Sequence, residues 1–230
     1  MPVAAEPLSD EVLDEIEEQT PKLEELGALE LIEWGDARFG RRMFVSSSFQ
    51  DCVLIDLATR VVPEIEVVFL DTRYHFDETI SYLDEVRERY QLRVRKLTPR
   101  GERDDLWRTD VEGCCRKCKV EPLRRMFDVH GAVAWMTGLR RSEDPGRASA
   151  APVEVDRDRR IVKINPIVAW SDEDVATYEV EQGLPVHPLR TQGYLSIGCW
   201  PCTQPVQPGE SARAGRWAGT SKTECGIHLK

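Results

Sequence analysis

The stretch MFVSSSFQDCVLIDLATRVVPEIEVVFL, residues 43–70, reads as one strand–helix–strand unit. Met43–Ser46 is a short apolar run, Asp51–Val61 has helical spacing, and Glu66–Leu70 is a continuous apolar run of the kind buried on both faces. The pattern continues outward. Phe76, Ile80, Leu83 and Tyr90 mark a second helix, Leu92–Leu97 another strand, Val120, Leu123 and Phe127 a further helix, and Ala132–Thr137 a fourth strand. Such alternation predicts an α/β fold with a mainly parallel sheet, helices on both faces, and ligands bound beyond the carboxyl ends of the strands.

Before this core, residues 9–34 read as helical, with Leu23, Leu26 and Leu29 near one face and Pro21 placed where a helix can start. The segment 1–41 is therefore expected to serve packing or a subunit contact, including a homo-oligomer. Residues 141–152 lack periodicity and read as a mobile loop, and Ser171 with Asp174 forms a capping box opening a helix over 172–182. After Pro185 periodicity stops. The organisation expected is an N-terminal helical segment 1–41, a nucleotide-binding domain 42–205, and an irregular, mobile C-terminal segment 206–230.

Composition limits the function. The chain has 230 residues, 41% of them hydrophobic, without the roughly 20-residue apolar run that crosses a bilayer. Its first residues have neither the basic opening nor the apolar core of a signal peptide, so no membrane and a cytoplasmic location are expected. A net charge of −10 argues against nucleic acid as a partner. Two basic groups, Arg140, Arg141 and Arg147, and Arg213, Arg216 and Lys222, are suited instead to a small anion.

Three places carry candidate chemistry. In VSSSFQD, Ser46, Ser47, Ser48 and Asp51 lie at a strand-to-helix junction, where open N–H groups suit a phosphate or sulfate oxygen. In LDTRYHFDET, Asp71 and Thr72 leave the next strand where a ribose or base would lie, while His75 reads as a packed or surface residue. The seven cysteines form the third. An odd number in a reducing compartment points to metal or redox chemistry ahead of disulfides. Two quartets are open. Cys115, Cys118, Cys199 and Cys202 would be a double CxxC knuckle, usual for zinc, whereas Cys114, Cys115, Cys199 and Cys202 include two neighbours whose divergent side chains favour a larger iron–sulfur centre. Cys225, in KTECGIH, stands apart. As a nucleophile it needs nearby positive charge, for which Lys222, His228, Arg213 and Arg216 are the candidates.

Taken in order, SSSFQD, LDTRYHFDET, CCRKCKVEPL, TGLRRSEDPGRA, INPIVAWSDEDV, GLPVHPL, GYLSIGCWPC, GRWAG and KTECGIH resemble the adenylylsulfate and phosphoadenylylsulfate reductase family from about Phe44 to His228. The resemblance implies an adenine nucleotide α-hydrolase-like sheet, with the serine and LDTRYHF loops around adenosine 5′-phosphosulfate and the arginine loop closing over it. It implies that Cys225 is the nucleophile and that Cys114, Cys115, Cys199 and Cys202 hold one 4Fe-4S cluster. Lys119 then lies between cluster and substrate, while Arg147, Arg213, Arg216 and His228 face the substrate's anionic end. It further implies thioredoxin or a similar thiol as reductant. Branches that reduce the 3′-phosphorylated nucleotide usually lack the four cysteines, so adenosine 5′-phosphosulfate is the expected substrate. Three departures stand out: Arg73 where the family often has Gly, Asp77 for a common Pro, and Cys118 at no family position, read as a buried or spare thiol. At Arg73 the turn is expected to avoid a positive φ or to be built differently. The rival readings are the 3′-phosphorylated substrate, an ATP pyrophosphatase-type adenylyltransferase, and a zinc-stabilised binding module.

Overall fold

Residues 6–228 are described by the computed structural model; the first five residues and the two after His228 lie outside it. Two helices, α1 (Asp10–Leu23) and α2 (Ala28–Phe39), precede β1 (Met43–Ser47), α3 (Val53–Val61), β2 (Glu66–Leu70), α4 (Asp77–Tyr90) and β3 (Arg93–Leu97). Short helices α5 (Leu106–Thr109) and α6 (Val111–Cys115) lead through a π-helical turn, Arg116–Val120, into α7 (Glu121–Asp128). The chain continues as β4 (Ala134–Thr137), β5 (Val153–Asp156), β6 (Ile161–Ile164) and α8 (Asp172–Glu181).

The sheet order is β3-β2-β1-β4-β6-β5, parallel throughout except for β5, which pairs antiparallel with β6. Strand periodicity divides its side chains between two cores. Val45, Val67, Phe69, Ala134 and Met136 join the core against α1 to α4 and α8, whereas Phe44, Val68 and Trp135 face Leu123 and Met126 of α7. The tail's Ile227 packs on this second core, so the irregular segment covers sheet that α7 leaves bare. The β5–β6 hairpin was not foreseen. Four-residue strands are too short to establish a period, and the intervening turn sets Arg160 at φ 55 without glycine.

The N-terminal reading needs correction in detail. The stretch 9–34 is two helices, the first capped by Ser9, whose hydroxyl accepts from the Val12 N–H at 3.3 Å. Pro21 lies inside the closing turn of α1 rather than at a helix start, and its missing N–H removes only the bond to the Glu17 carbonyl. Leu23 is buried while Leu29 is 41% exposed, so these leucines do not share a face. The capping box of Ser171 and Asp174 forms as expected, with the Asp174 N–H donating to Ser171 Oγ at 3.0 Å.

His187, fully buried, ties the segment after α8 to α4. Its Nδ1 accepts from the Leu189 N–H at 3.2 Å, so Nε2 carries the proton and donates to Thr79 Oγ1, 3.0 Å away. A second proton has no acceptor, and burial drops the pKa from 6.5 to about 4. Unfolding lets the ring take up a proton at its ordinary pKa, so this stability is intact above pH 6.5 and is lost as pH falls toward 4. Between pH 7 and pH 5 the urea midpoint should drop by the equivalent of about 1–2 kcal/mol, and His187→Gln should flatten part of that slope.

Candidate active site

In the order 3-2-1-4, the succession of strands reverses between the parallel neighbours β1 and β4, the switch point where doubly wound sheets bind ligands. A cavity of about 180 Å³ opens there, at the carboxyl ends of β1, β2 and β4. Its floor is the serine loop. Ser46 is committed, donating to the Met136 carbonyl at 3.3 Å, and Ser47 Oγ accepts from the Phe49 N–H at 3.0 Å. Phe49 takes φ 55, a left-handed turn that buries its ring and leads the backbone into α3. Cys52, at the N-cap of α3, makes no side-chain cap, and Leu54 and Ile55 of the first turn line the cavity, so an anion there meets the positive end of the helix. Asp51 lines the cavity too, and burial, reinforced by Glu179, holds its carboxyl above the ordinary aspartate range.

Asp71 and Thr72 are not brought to this cavity. Asp71 accepts from the Arg73 N–H at 2.9 Å and borders a separate outer groove. Thr72 is fully buried with Oγ1 3.2 Å from Cys199 Sγ, so it belongs with the cysteines. His75, by contrast, does line the cavity, and burial lowers its pKa to about 4. At Arg73 the expectation of a turn without positive φ is overturned: φ is 65, a strain on the order of 1–2 kcal/mol for a residue with a Cβ. Hydrogen bonds from its guanidinium to the carbonyls of Gly101 at 2.6 Å and Pro99 at 3.3 Å offset that cost.

The roof comes from two distant segments. The loop after β4 contributes Arg147, and the tail contributes Arg213, Arg216, Cys225, Ile227 and His228. The other members of the basic groups are used elsewhere: Arg140 pairs with Asp172 at 2.6 Å, Arg141 with Glu24, and Lys222 with Glu112 at 2.5 Å. Arg216 is buried with its Nε unpartnered among the described residues, one hydrogen bond to Ser196 Oγ at 3.3 Å, and its guanidinium 4.6 Å from the Trp217 ring. Burial, and then Arg213, push its pKa below the arginine range, with Cys199 and Cys225 opposing. His228 stacks on Trp135 at 5.9 Å, and burial followed by the charge of Lys163 keeps it neutral, so it offers Cys225 no positive charge. The cations around Cys225 are Lys119, Arg216 and Arg147 instead.

Lys119, on the π-helical turn, lines both this cavity and a smaller one bounded by Cys114, Cys115, Cys118, Cys199 and Cys202. Burial opposes its charge, but Cys199 and Cys225 outweigh that and raise its pKa. Burial pushes the Cys115 thiol up to about 12 and raises Cys202 as well, so these sulfurs ionise readily only against added positive charge. Cys118 is buried as expected but is not set apart: it clusters with Cys114 and Cys199 and lines the same small cavity. Among the described residues no three metal-binding side chains are gathered at a single ion's distance, and the five sulfurs are instead spread around the cavity.

Sequence reasoning named most of the cationic lining and missed the acids. Glu143 and Glu224 both line the main cavity, as do Gln50, Thr137 and Gly198. Gln50 left no periodic signal, yet its Oε1 accepts from the Ile197 N–H at 2.8 Å and joins the serine loop to the tail. Gly198 is explained by close approach: a Cβ there would lie 2.4 Å from the Arg216 guanidinium.

A doubly wound α/β sheet whose switch-point cavity is lined by the start of a helix, three arginines and two cysteines defines a nucleotide-type fold. Residues 42–205 match the phosphoadenosine phosphosulfate reductase domain, and the chain belongs to that family. Among its relatives, a Streptomyces coelicolor protein named adenosine 5′-phosphosulfate reductase is 48% identical over 90% of this chain and 90% of its own length. A Staphylococcus epidermidis protein of the same name is 39% identical over 88% and 87%. A solved phosphoadenylyl-sulfate reductase from Candida auris superposes with TM-score 0.75 at 27% identity, covering 87% of this chain and all of that one. A Candida glabrata FMN adenylyltransferase shares the fold at TM-score 0.60 and 14% identity, covering 85% of this chain and 74% of that one. No helix among the described residues is long and apolar enough to cross a membrane.

Proposed function

We propose that this chain reduces adenosine 5′-phosphosulfate to sulfite and AMP in assimilatory sulfate reduction, with Cys225 as nucleophile. One observation carries the reading: the Cys225 thiol shares a single cavity with the serine loop and with Arg147, Arg213, Arg216 and Lys119. A sulfur with cations and a phosphate-type loop beside it is the arrangement that attack on a phosphosulfate needs, which supports the reading. The Cys225 thiolate attacks sulfur, the bond from sulfur to the bridging oxygen breaks, and AMP leaves while its new charge is met by the arginines and Lys119. The enzyme then holds a thiosulfonate. A thioredoxin-type dithiol attacks Cys225 Sγ, sulfite departs, and the dithiol supplies both electrons as it closes to a disulfide. Enclosure followed by hand-over to a partner protein gives the segment 206–230 its function as a mobile element beside the 42–205 domain, while α1 and α2 of the segment 1–41 pack against the core. The thiol reductant places the reaction in the cytoplasm.

The sulfur pocket fits an iron–sulfur centre. Its donors are soft sulfurs disposed around one cavity, the ligand type such a centre takes. Cys114, Cys115, Cys199 and Cys202 would hold a 4Fe-4S cluster, with the Thr72 hydroxyl on Cys199 and Lys119 beside it. When bound, the group supplies local charge that positions Lys119. Turnover with the unphosphorylated and the 3′-phosphorylated nucleotide, using thioredoxin, tests the reading. Sulfite and AMP should appear chiefly from the former, and the anaerobic protein should be brown with bound iron and sulfide. Sulfite from neither nucleotide sinks the reading; colourless, zinc-containing protein sinks the cluster.

A further inference from the structure

Two of the cavity's three arginines, Arg147 and Arg213, are already paired with carboxylates, and the pairing reaches the residue before the nucleophile. Arg147 Nε lies 2.5 Å from Glu224 Oε1, and Arg213 NH2 lies 3.4 Å from Glu224 Oε2. Glu143 also pairs with Arg147, and Asp144 lies 3.6 Å from Arg213 Nε, so two guanidinium groups meet three carboxylates. All five side chains are 10–17% exposed, so solvent screens these contacts little. A phosphosulfate drawn in by Arg216 and Lys119 brings further negative charge to Arg147 and Arg213 and competes with their carboxylates for them. Glu143 and Asp144 sit in helical turns after β4, with Asp144 capping one by accepting from the Gly146 N–H at 2.8 Å. Glu224 is on the irregular tail, and Cys225 follows it directly.

We infer that Glu224 is a positioning residue for Cys225: its carboxylate stands on Arg147 and Arg213 in place of the substrate's anion and gives those arginines up when the anion binds. While Glu224 is held, the neighbouring thiol is drawn into the cavity. An incoming dianion competes for the same guanidinium groups, releases Glu224, and frees the peptide carrying Cys225 to shift toward the bound group. Substrate charge and nucleophile placement are thereby linked through one carboxylate. The identity of the dianion rests on the reductase reading; the exchange itself requires only a small oxyanion.

The test uses the full chain and inorganic sulfate. Alkylation of Cys225 by iodoacetamide, followed by peptide mass spectrometry, reports how firmly the tail is held. In the unmodified protein, sulfate should accelerate labelling beyond chloride at equal ionic strength. Glu224→Gln keeps the shape and removes the charge; it should label roughly tenfold faster without sulfate, the scale of a lost charge-assisted pair, and show no further acceleration. Glu224→Asp should restore part of the protection and of the sulfate response. Wild-type labelling in Glu224→Gln, or an undiminished sulfate response, overturns the inference. Absence of turnover in every protein would sink the reductase reading and leave the labelling result standing.

Discussion

Replacing Cys225 by serine is expected to stop sulfite release, lowering the turnover number by at least roughly 10⁴-fold, while the nucleotide still binds. A serine hydroxyl is a far weaker acid and a poorer nucleophile toward sulfur than a thiol, so it cannot take the place of Cys225 in the attack. Cys225 has no close competitor for the role. Cys52 is buried and pushed up to about 12 by desolvation, and the five sulfurs around the smaller cavity face away from the nucleotide loop, apart from Cys199 at the boundary. Mass spectrometry of the wild-type protein, exposed to the nucleotide without reductant, should find a thiosulfonate on Cys225 and nowhere else. Sustained turnover by Cys225→Ser, or an adduct on another cysteine, would remove the proposed mechanism.

The second large effect is expected at Arg216. Arg216→Ala should reduce kcat/KM by roughly 10³-fold, the range found when a preorganised donor to developing charge is removed from a dry site. The buried guanidinium has one hydrogen bond, an unpartnered Nε and an aromatic face beside it, so its positive charge is spent little within the protein. Charge appearing on the leaving phosphate is what it is placed to meet. Arg216→Lys should recover only a small part, because an ammonium has no fork and no planar face to lie against Trp217. Gly198→Ala gives an independent check. It keeps the arginine in the chain but sets a methyl 2.4 Å from the guanidinium, which must then shift, and it should lower kcat/KM in the same direction. Near wild-type kinetics in Arg216→Ala would exclude the role.

Much of this protein was legible from local pattern. Apolar runs of strand length between helical spacings identified four strands of the parallel sheet and three of its covering helices, since period and length are properties of a short window. The serine turn was readable because chain direction at a strand end and small side chains together expose backbone donors. Cysteine spacing identified a sulfur-rich site without settling which sulfurs take part. The tail's lack of periodicity was correctly read as irregular, but not that Ile227 fills sheet surface left by α7.

The sequence by itself determined the alternation of strands and helices, the anion-binding loop, the family motifs and the isolated terminal cysteine, all of which are written in adjacent residues. Only the tertiary structure decided that Thr72 turns to Cys199, that Cys118 joins the other four thiols, and that Lys222 and His228 do not serve Cys225 as cations. It also decided that Glu143 and Glu224 share the arginines' cavity. The physical reason is range. Dihedral preference and apolar period act over a few residues, whereas an ion pair between Arg147 and Glu224 spans 77 positions and exists only once the sheet, the loop and the tail have closed on one another.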